Sequence, residues 1–178
     1  MMRSCAVFVA TAFLVAPSSA TQITRLRPPD VKFVGTPQNV VEAMLELARV
    51  TPADIVYDLG SGDGRIPITA AKKYGARGVG IEIDPFHLRE AKDNLANAGV
   101  GDRVRFLNED LFQADIHEAT VVTLFLLPKL NLRLIPKFRH ELARGTRIVS
   151  HKFDMGDDWP PEQSQDVNGL MIYLWTIR

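Results

Sequence analysis

Cysteine is almost absent from this chain of 178 residues, which contains only Cys5. A single thiol excludes a disulfide within the chain, a cysteine-ligated zinc cluster and thiol catalysis. A surplus of charge is also absent, because 21 basic residues balance 21 acidic ones. We therefore expect no nucleic-acid partner, since the electrostatic footprint of such a protein is missing. Without internal repeats or low-complexity segments, a chain of this length forms one ordinary globular domain.

Long apolar runs are missing except at the amino terminus. Arg3 precedes an apolar run over 5–16, which is short for a bilayer span, and Ser18-Ser19-Ala20 offers small residues for cleavage. This pattern predicts a signal peptide over 1–20 and a periplasmic or secreted protein. An uncleaved membrane anchor and a mitochondrial presequence are the alternatives, and an anchor would be the one route to membrane association.

The most informative segment is an apolar run over 55–59 that ends in three alternate glycines, Gly60, Gly62 and Gly64, before a helical pattern begins at Arg65. This order predicts a strand, a tight turn and a helix, as at the opening of a nucleotide-binding α/β fold. Glycine permits positive φ angles and close approach of a ligand. The helix amino terminus offers free N–H groups.

The residues around these glycines select among ligands. A Walker-type loop requires Gly-Lys-Ser/Thr, whereas Gly64 is followed by Arg65-Ile66. The spacing also differs from Gly-x-Gly-x-x-Gly, and Asp58 and Asp63 would repel a pyrophosphate. Carboxylates suit a ligand with an ammonium and a sulfonium, namely S-adenosylmethionine (SAM). The segment resembles motif I of the class I SAM-dependent methyltransferases.

The rest of the chain predicts a doubly wound α/β fold. We expect a linker or lid over 21–36 and a methyltransferase domain over 37–178, with Thr36 as the cap of its first helix. Predicted helices cover 37–50, 65–74, 84–97 and 130–142, and predicted strands cover 55–59, 76–82, 104–107, 120–127 and 146–151. Asn168-Gly169 between 162–167 and 170–177 predicts a hairpin. The fold is then the Rossmann-like sheet of class I methyltransferases, mostly parallel with an antiparallel carboxyl-terminal hairpin.

Several segments together resemble a narrower group, the small exported bacterial methyltransferases similar to the mitochondrial protein-lysine methyltransferases of the adenine nucleotide translocase/ATP synthase c-subunit type. They are Thr36-Pro37, 58–65, 80–85, 110–112, 119–128 and 149–156. One departure is Gly35, where the group tends to have proline, and we expect it to loosen the lid. The Asn/Asp-Pro-Pro-Tyr signature is missing after the fourth predicted strand, which argues against methylation of DNA or glutamine.

The motifs also predict the cofactor site. Glu82 lies about 20 residues past the glycines, where an acid accepts hydrogen bonds from the ribose hydroxyls; the alternative is a solvated carboxylate at a strand end. Asp110 resembles the acid that meets the adenine amino group. A side chain at Gly60 or Gly62 should fill the space of the methionine moiety. The predicted SAM-binding set is Thr36, Asp58, Gly60, Ser61, Gly62, Asp63, Gly64, Glu82, Ile83 and Asp110.

The predicted catalytic residues follow the fourth and fifth strands, on the side where the reacting methyl group should lie. We expect Asn131 and Asp154 to hold an incoming ammonium beside Trp159, and His151, or a water that it holds, to take up the proton. Each has a structural alternative: Asn131 as a helix cap, His151 as a satisfied strand-end histidine and Asp154 as a turn residue.

The expected function is methyl transfer from SAM to a nucleophile, and the resemblance implies a protein lysine. The alternatives are an exported SAM-binding module without catalysis and a small-molecule N- or O-methyltransferase. The glycine spacing disfavours an NAD-dependent oxidoreductase. No metal-ligand cluster appears, and methyl transfer needs none. Export stands in conflict with a cofactor that is made in the cytosol.

Overall fold

A seven-stranded sheet forms the centre of the structure, a computed structural model that describes residues 26–178. The strand order is β3-β2-β1-β4-β5-β7-β6. The first five strands are parallel, and β7 lies antiparallel between β5 and β6. The predicted signal peptide over 1–20 lies outside the described residues. Among residues 26–178, no helix combines the length and the apolar character needed to cross a bilayer.

Four α-helices and one short 3₁₀ helix accompany the strands. The α-helices are α1 Gln38–Leu47, α2 Arg65–Tyr74, α3 Pro85–Ala98 and α4 Pro128–Glu141, and the 3₁₀ helix is Gly156–Asp158. The strands are β1 Ile55–Leu59, β2 Arg77–Glu82, β3 Val104–Asn108, β4 Val121–Leu124, β5 Arg147–His151, β6 Gln163–Val167 and β7 Leu170–Thr176. This architecture confirms the predicted Rossmann-like fold with its antiparallel carboxyl-terminal pair.

Helices cover both faces of the sheet, which explains why the central strands are apolar throughout. Helix α4 packs on one face through Leu134 and Phe138, and α1 packs on the other through Val41 and Met44. Helices α2 and α3 extend that second layer towards β3. Strands buried on both faces lose the alternation of apolar and polar residues. All residues of β1 and β4 are accordingly buried.

The turn signals in the sequence placed several boundaries correctly. Asp84 caps α3 by accepting a hydrogen bond from the backbone N–H of Phe86. Asn168 and Gly169 both have positive φ angles, as a two-residue hairpin turn requires. Thr36, however, does not cap α1, whose N-cap is Pro37 without a side-chain hydrogen bond. Strand β4 is shorter than predicted and α4 begins at Pro128, since proline is favoured at the first position of a helix.

Candidate active site

A cavity of about 560 Å³ opens at the carboxyl ends of the parallel strands. Its lining comes from the end of β1, the glycine turn, the end of β2 and the loops that follow β3 and β4. Residues of the segment 27–36, called the lid segment below, complete the lining. This is the edge at which doubly wound sheets bind their ligands, and the volume suits a small organic molecule.

The glycine turn is fixed to β2 by two backbone hydrogen bonds. The N–H groups of Gly60 and Ser61 both donate to the carbonyl of Ile81, at 2.9 and 3.0 Å. A Cβ at Gly62 would lie 2.0 Å from the ring of Phe33 in the lid segment. At Gly60, the nearest atom would belong to Leu126, at 3.2 Å. The expectation for Gly62 is therefore corrected, because its side chain would displace the lid rather than fill the cavity directly.

Asp58 is a buried carboxyl group at the end of β1. Its Oδ1 accepts a hydrogen bond of 2.7 Å from Oγ1 of Thr123, and no cation lies against it among the described residues. Burial, together with the nearby charges of Glu82 and Asp63, raises the pKa of Asp58 to about 7. A carboxylate destabilised in this way gains most from a bound cation. The structure thus supports the expected preference for a cationic ligand at Asp58.

Asp63, the second acid expected to favour a cation, is already neutralised. The guanidinium of Arg65 donates to both of its carboxylate oxygens, with its Nε 2.9 Å from Oδ1 and its Nη2 2.5 Å from Oδ2. Arg65 also donates to the carbonyl of Thr36 at 2.8 Å. Arg65 therefore connects the glycine turn to the lid segment, a role that the sequence analysis did not assign.

Gly35 makes this connection possible. A Cβ at Gly35 would lie 2.5 to 2.7 Å from the guanidinium atoms of Arg65. The expectation that Gly35 only loosens the lid overlooked this contact. Phe33 adds a second contact of the lid segment, this time with α3, since its ring lies 4.5 Å from the ring of His87.

Glu82 is held by two backbone donors at the end of β2. Its Oε2 accepts from the N–H of Gly62 at 2.7 Å, and its Oε1 accepts from the N–H of Asp84 at 2.8 Å. Only 7% of the residue is exposed, so the alternative of a solvated carboxylate is wrong. Both oxygens keep lone pairs for further donors. Hydroxyl groups of a ribose are suitable donors.

Replacing Glu82 by alanine should weaken SAM binding by about 1.5–3 kcal/mol, the range for hydrogen bonds to a charged group. Isothermal titration of the full chain measures the effect, and a thermal unfolding curve checks that the fold persists. Glu118→Ala is the matched control, because Glu118 is exposed and precedes β4 at the opposite edge of the sheet. Equal affinity of Glu82→Ala and the parent would show that the ribose lies elsewhere.

Asp110 is bound by a residue of the lid segment. Arg27 donates to it through two nitrogens, at 2.5 and 2.9 Å, and this pairing lowers the pKa of the Asp110 carboxyl. Asp30 binds the same guanidinium at 2.7 Å. Asp110 thus lines the cavity as predicted, but with its carboxylate paired. Sequence reasoning missed Arg27 because no local pattern links residues 83 positions apart.

The three predicted catalytic residues lie behind the cavity rather than in its lining. His151 reaches the lining through two neighbours: its Nδ1 is 3.3 Å from Oγ1 of Thr36, and its ring lies 4.0 Å from the ring of Phe125. Burial, with the charge of Lys152, lowers the pKa of His151 to about 4. The alternative is a strand-end histidine whose hydrogen bonds are satisfied. Only its Nδ1 has a partner, since its Nε2 is buried without one.

Asn131, in α4, holds the turn that contains Asp154. The Nδ2 of Asn131 donates to the carbonyls of Phe153 and Asp154, at 3.1 and 3.3 Å. The carboxylate of Asp154 accepts from the N–H of Gly156, which matches the turn-stabilising alternative. Asn131 is not a helix cap, because α4 begins three residues earlier. The predicted wall, Trp159, lies outside the cavity lining and packs against Trp175.

The lining fits a cationic cofactor of the size of SAM. It holds seven acidic residues against three basic ones, Arg27, Lys32 and Arg65; the acidic residues are Asp30, Asp58, Asp63, Glu82, Asp84, Glu109 and Asp110. Of the predicted SAM-binding residues, all except Gly62 and Gly64 belong to the lining. Residues 26–178 contain no group of three or more His, Cys, Asp or Glu side chains placed to hold a metal ion.

Comparison with known proteins identifies the family of this chain. The family model described as "ANTKMT methyltransferase domain" matches residues 58–163. A protein-lysine N-methyltransferase of Saccharolobus islandicus is 47% identical over 84% of this chain and 95% of that protein. The mouse adenine nucleotide translocase lysine N-methyltransferase is 34% identical over 88% of this chain, which spans 66% of the mouse protein.

Solved structures show the same relation. A crystal structure from Salinibacter ruber, described as an RNA methyltransferase in complex with S-adenosyl-L-homocysteine, has a TM-score of 0.79 and 56% sequence identity, covering 81% of this chain and 94% of that one. That ligand is SAM without its transferable methyl group, so SAM is the cofactor of the present site. With a family match over more than half of its length, this chain belongs to the ANTKMT methyltransferase domain family and is a SAM-dependent methyltransferase.

Proposed function

We propose that the protein methylates the side-chain amine of lysine residues in another protein. The observation that carries this proposal is the excess of acidic over basic residues in the cavity lining, seven against three. Two cations have to meet in this cavity, the sulfonium of the donor and an ammonium that approaches it. The names of the Saccharolobus and mouse relatives, both lysine N-methyltransferases, support the same acceptor.

SAM supplies a methyl group that its sulfonium already activates, so the protein has mainly to bind, align and exclude water. Asp58 offers its carboxylate to the ammonium of the cofactor, and Glu82 offers its oxygens to the ribose. The glycine turn leads into the amino terminus of α2, where partial positive charge favours the carboxylate of the cofactor. The lid segment closes this arrangement through Arg65.

The acceptor amine must lose a proton, because lysine has a reference pKa near 10.4. His151 is neutral at pH 7, since its pKa is about 4, and so it has a lone pair available. With that pKa and a place behind the lining, His151 does not itself take this proton, which passes to water; His151 instead positions Thr36 and Phe125 of the lining. Asn131 acts as a positioning residue, because its Nδ2 fixes the turn after β5, in which Lys152 has a φ of 70°.

Replacing His151 by alanine should leave the dissociation constant for SAM within about threefold and lower kcat about 100-fold, the cost of misplacing the groups that align the reactants. Asn131→Ala and Asp154→Ala should also keep SAM affinity and lose turnover. The parent's rate should rise between pH 6 and 9 with deprotonation of the acceptor amine, because His151 titrates well below that range. His117→Ala, at an exposed position, is the control. Full turnover in the three variants would move the acceptor site to the lid segment.

RNA is the second acceptor to be tested, because the Salinibacter structure is described as an RNA methyltransferase. The acidic lining disfavours it, since a phosphate backbone is attracted by basic surfaces. A decisive assay gives the full chain labelled SAM together with denatured protein, the same protein with acetylated lysines, or total RNA. Label only in the unmodified protein, recovered as methyl-lysine after hydrolysis, supports the proposal. Label in RNA, or equal label in the acetylated protein, would overturn it.

An exported SAM-binding module without catalysis predicts a different result. It would bind SAM in titration and transfer no label to any acceptor. A small-molecule N- or O-methyltransferase would transfer label only to low-molecular-weight material in a cell extract. The same labelling assay, with the products separated by size, distinguishes both from a protein methyltransferase.

A further inference from the structure

Large apolar side chains are exposed at only five places in the described part of the chain, and all five belong to segments that contribute to the cavity lining. They are Phe33, Val34, Phe86, Leu127 and Leu132, with exposures of 38, 66, 70, 50 and 39%. Each either lines the cavity or lies within two residues of a lining residue. Single exposed apolar residues scattered over a surface need no explanation, but a set concentrated in the segments beside one cavity indicates a binding surface.

Three elements bring this apolar rim together. Phe33 and Val34 belong to the lid segment, Phe86 lies in the first turn of α3, and Leu127 is the N-cap of α4. The rings of Phe33 and Phe86 both contact His87, with centroid distances of 4.5 and 5.2 Å. The rim is therefore continuous from the lid segment to α3. Leu127 extends directly from Leu126, which lines the opposite side of the cavity.

Two lysines accompany the apolar rim, and one of them, Lys32, also belongs to the cavity lining. Lys32 precedes Phe33, and Lys129 lies two residues beyond Leu127, and both lysines are exposed. The cavity behind them has an excess of carboxylates. A single cation is therefore attracted into the cavity, whereas basic residues that flank it in a substrate would be repelled by Lys32 and Lys129.

We propose that the apolar rim binds the residues on either side of the acceptor lysine, so that the protein prefers a lysine with large apolar neighbours and without basic ones. This inference rests on the proposed lysine methyltransferase function and adds the class of sequence that is recognised. Apolar neighbours would bury the exposed surface of Phe86 and Leu127 as the lysine enters. The occupant is a protein segment rather than a bilayer, because the rim encloses a cavity that takes one extended cationic side chain.

The test compares three peptides of equal length, each with one lysine, flanked by two leucines, two serines or two arginines on each side. With the full chain, kcat/KM should be about tenfold higher for the leucine peptide than for the serine peptide, mainly through KM, which corresponds to about 1.4 kcal/mol of binding. The arginine peptide should be the poorest. In the variant that combines Phe86→Ser with Leu127→Ser, kcat/KM for the leucine peptide should fall to within about threefold of that for the serine peptide. The value for the serine peptide should stay unchanged. A threefold difference is well below the tenfold preference, or about 1.4 kcal/mol, expected of the parent.

The matched control combines Phe86→Leu with Leu127→Met, which keeps the rim apolar and should keep the preference. Equal kcat/KM for the leucine and serine peptides with the parent protein would overturn the inference and leave the proposed function intact. Absence of transfer to all three peptides, with SAM still bound, would overturn both. A third outcome would assign the rim to lipid and overturn the inference. In that case the parent sediments with phosphatidylcholine/phosphatidylglycerol vesicles, the double serine variant does not, and the parent shows no preference among the peptides.

Discussion

Alanine at Gly64 should destabilise the protein by about 2–5 kcal/mol, from about 1–2 for the left-handed backbone and about 1–3 for overpacking. The φ of Gly64 is 79°, and a Cβ there would lie 2.3 Å from the ring of Phe106 and 3.0 Å from the Cβ of Ala91. Both neighbours belong to the buried cluster between α2, α3 and β3, which cannot move aside. Urea unfolding of the cofactor-free protein measures the loss.

Alanine at Gly62 should instead cause a small loss of stability and a large loss of SAM affinity. Its φ is 51°, so the backbone cost is comparable, but its Cβ would meet Phe33, whose side chain is partly exposed and can swing outwards. Gly62→Ala should therefore lose only about 1–2 kcal/mol of stability. Its SAM affinity should fall at least tenfold, because the lid segment is displaced and the N–H that holds Glu82 is disturbed. Isothermal titration supplies this second measurement.

Gly62→Ala and Gly64→Ala serve as controls for each other, since the two positions share the backbone conformation and differ in what the new methyl group contacts. Equal losses of stability at the two positions would contradict the distinction between a rigid and a movable neighbour. Unchanged SAM affinity in Gly62→Ala would show that the packing of Phe33 on the glycine turn does not matter for binding.

The parts of the fold that the sequence predicted correctly have local causes. The three glycines after β1, Asp84-Pro85 before α3 and Asn168-Gly169 in the hairpin each specify a backbone conformation within a few residues. Helix α2 matches its predicted limits because glycine adopts the left-handed conformation at both ends. The sheet order then follows from the alternation of strands and helices.

The parts that it missed depend on contacts between distant residues. Asp110 is paired with Arg27, and His151 lies against Thr36, across 83 and 115 positions respectively. Periodicity and turn chemistry carry no information about such pairs. The helix-cap alternative for Asn131 is wrong for another reason, because two helix-start signals compete after β4 and the proline at 128 prevails. The signal peptide over 1–20 stays a prediction.

The second large effect is expected at Asp58, where one substitution should raise the stability of the protein and lower its affinity for SAM. Because the folded-state pKa of about 7 lies above the unfolded value near 3.9, the carboxyl group costs stability as the pH rises from about 4 to about 7. Asp58→Asn removes this cost while its Oδ1 can still accept the hydrogen bond from Thr123. At pH 8 the cofactor-free variant should be more stable by about 2–4 kcal/mol, at 1.36 kcal/mol for each pKa unit. At pH 4 the two proteins should unfold alike.

The affinity for SAM should fall in the same variant, and the parent should lose affinity in acid. A group with a pKa of about 7 is half ionised at pH 7 and about 3% ionised at pH 5.5, so SAM should bind roughly 15-fold more weakly at pH 5.5. In this range the α-amino group of the cofactor stays protonated, since its reference pKa is about 7.7–8.0. Isothermal titration in buffers of different ionisation enthalpy should detect release of up to one proton on binding. Asp58→Asn should bind weakly at both pH values without proton release, as expected if Asp58 is the group that titrates. Equal affinity of the parent at pH 5.5 and 7 would mean that Asp58 does not meet the ammonium of the cofactor.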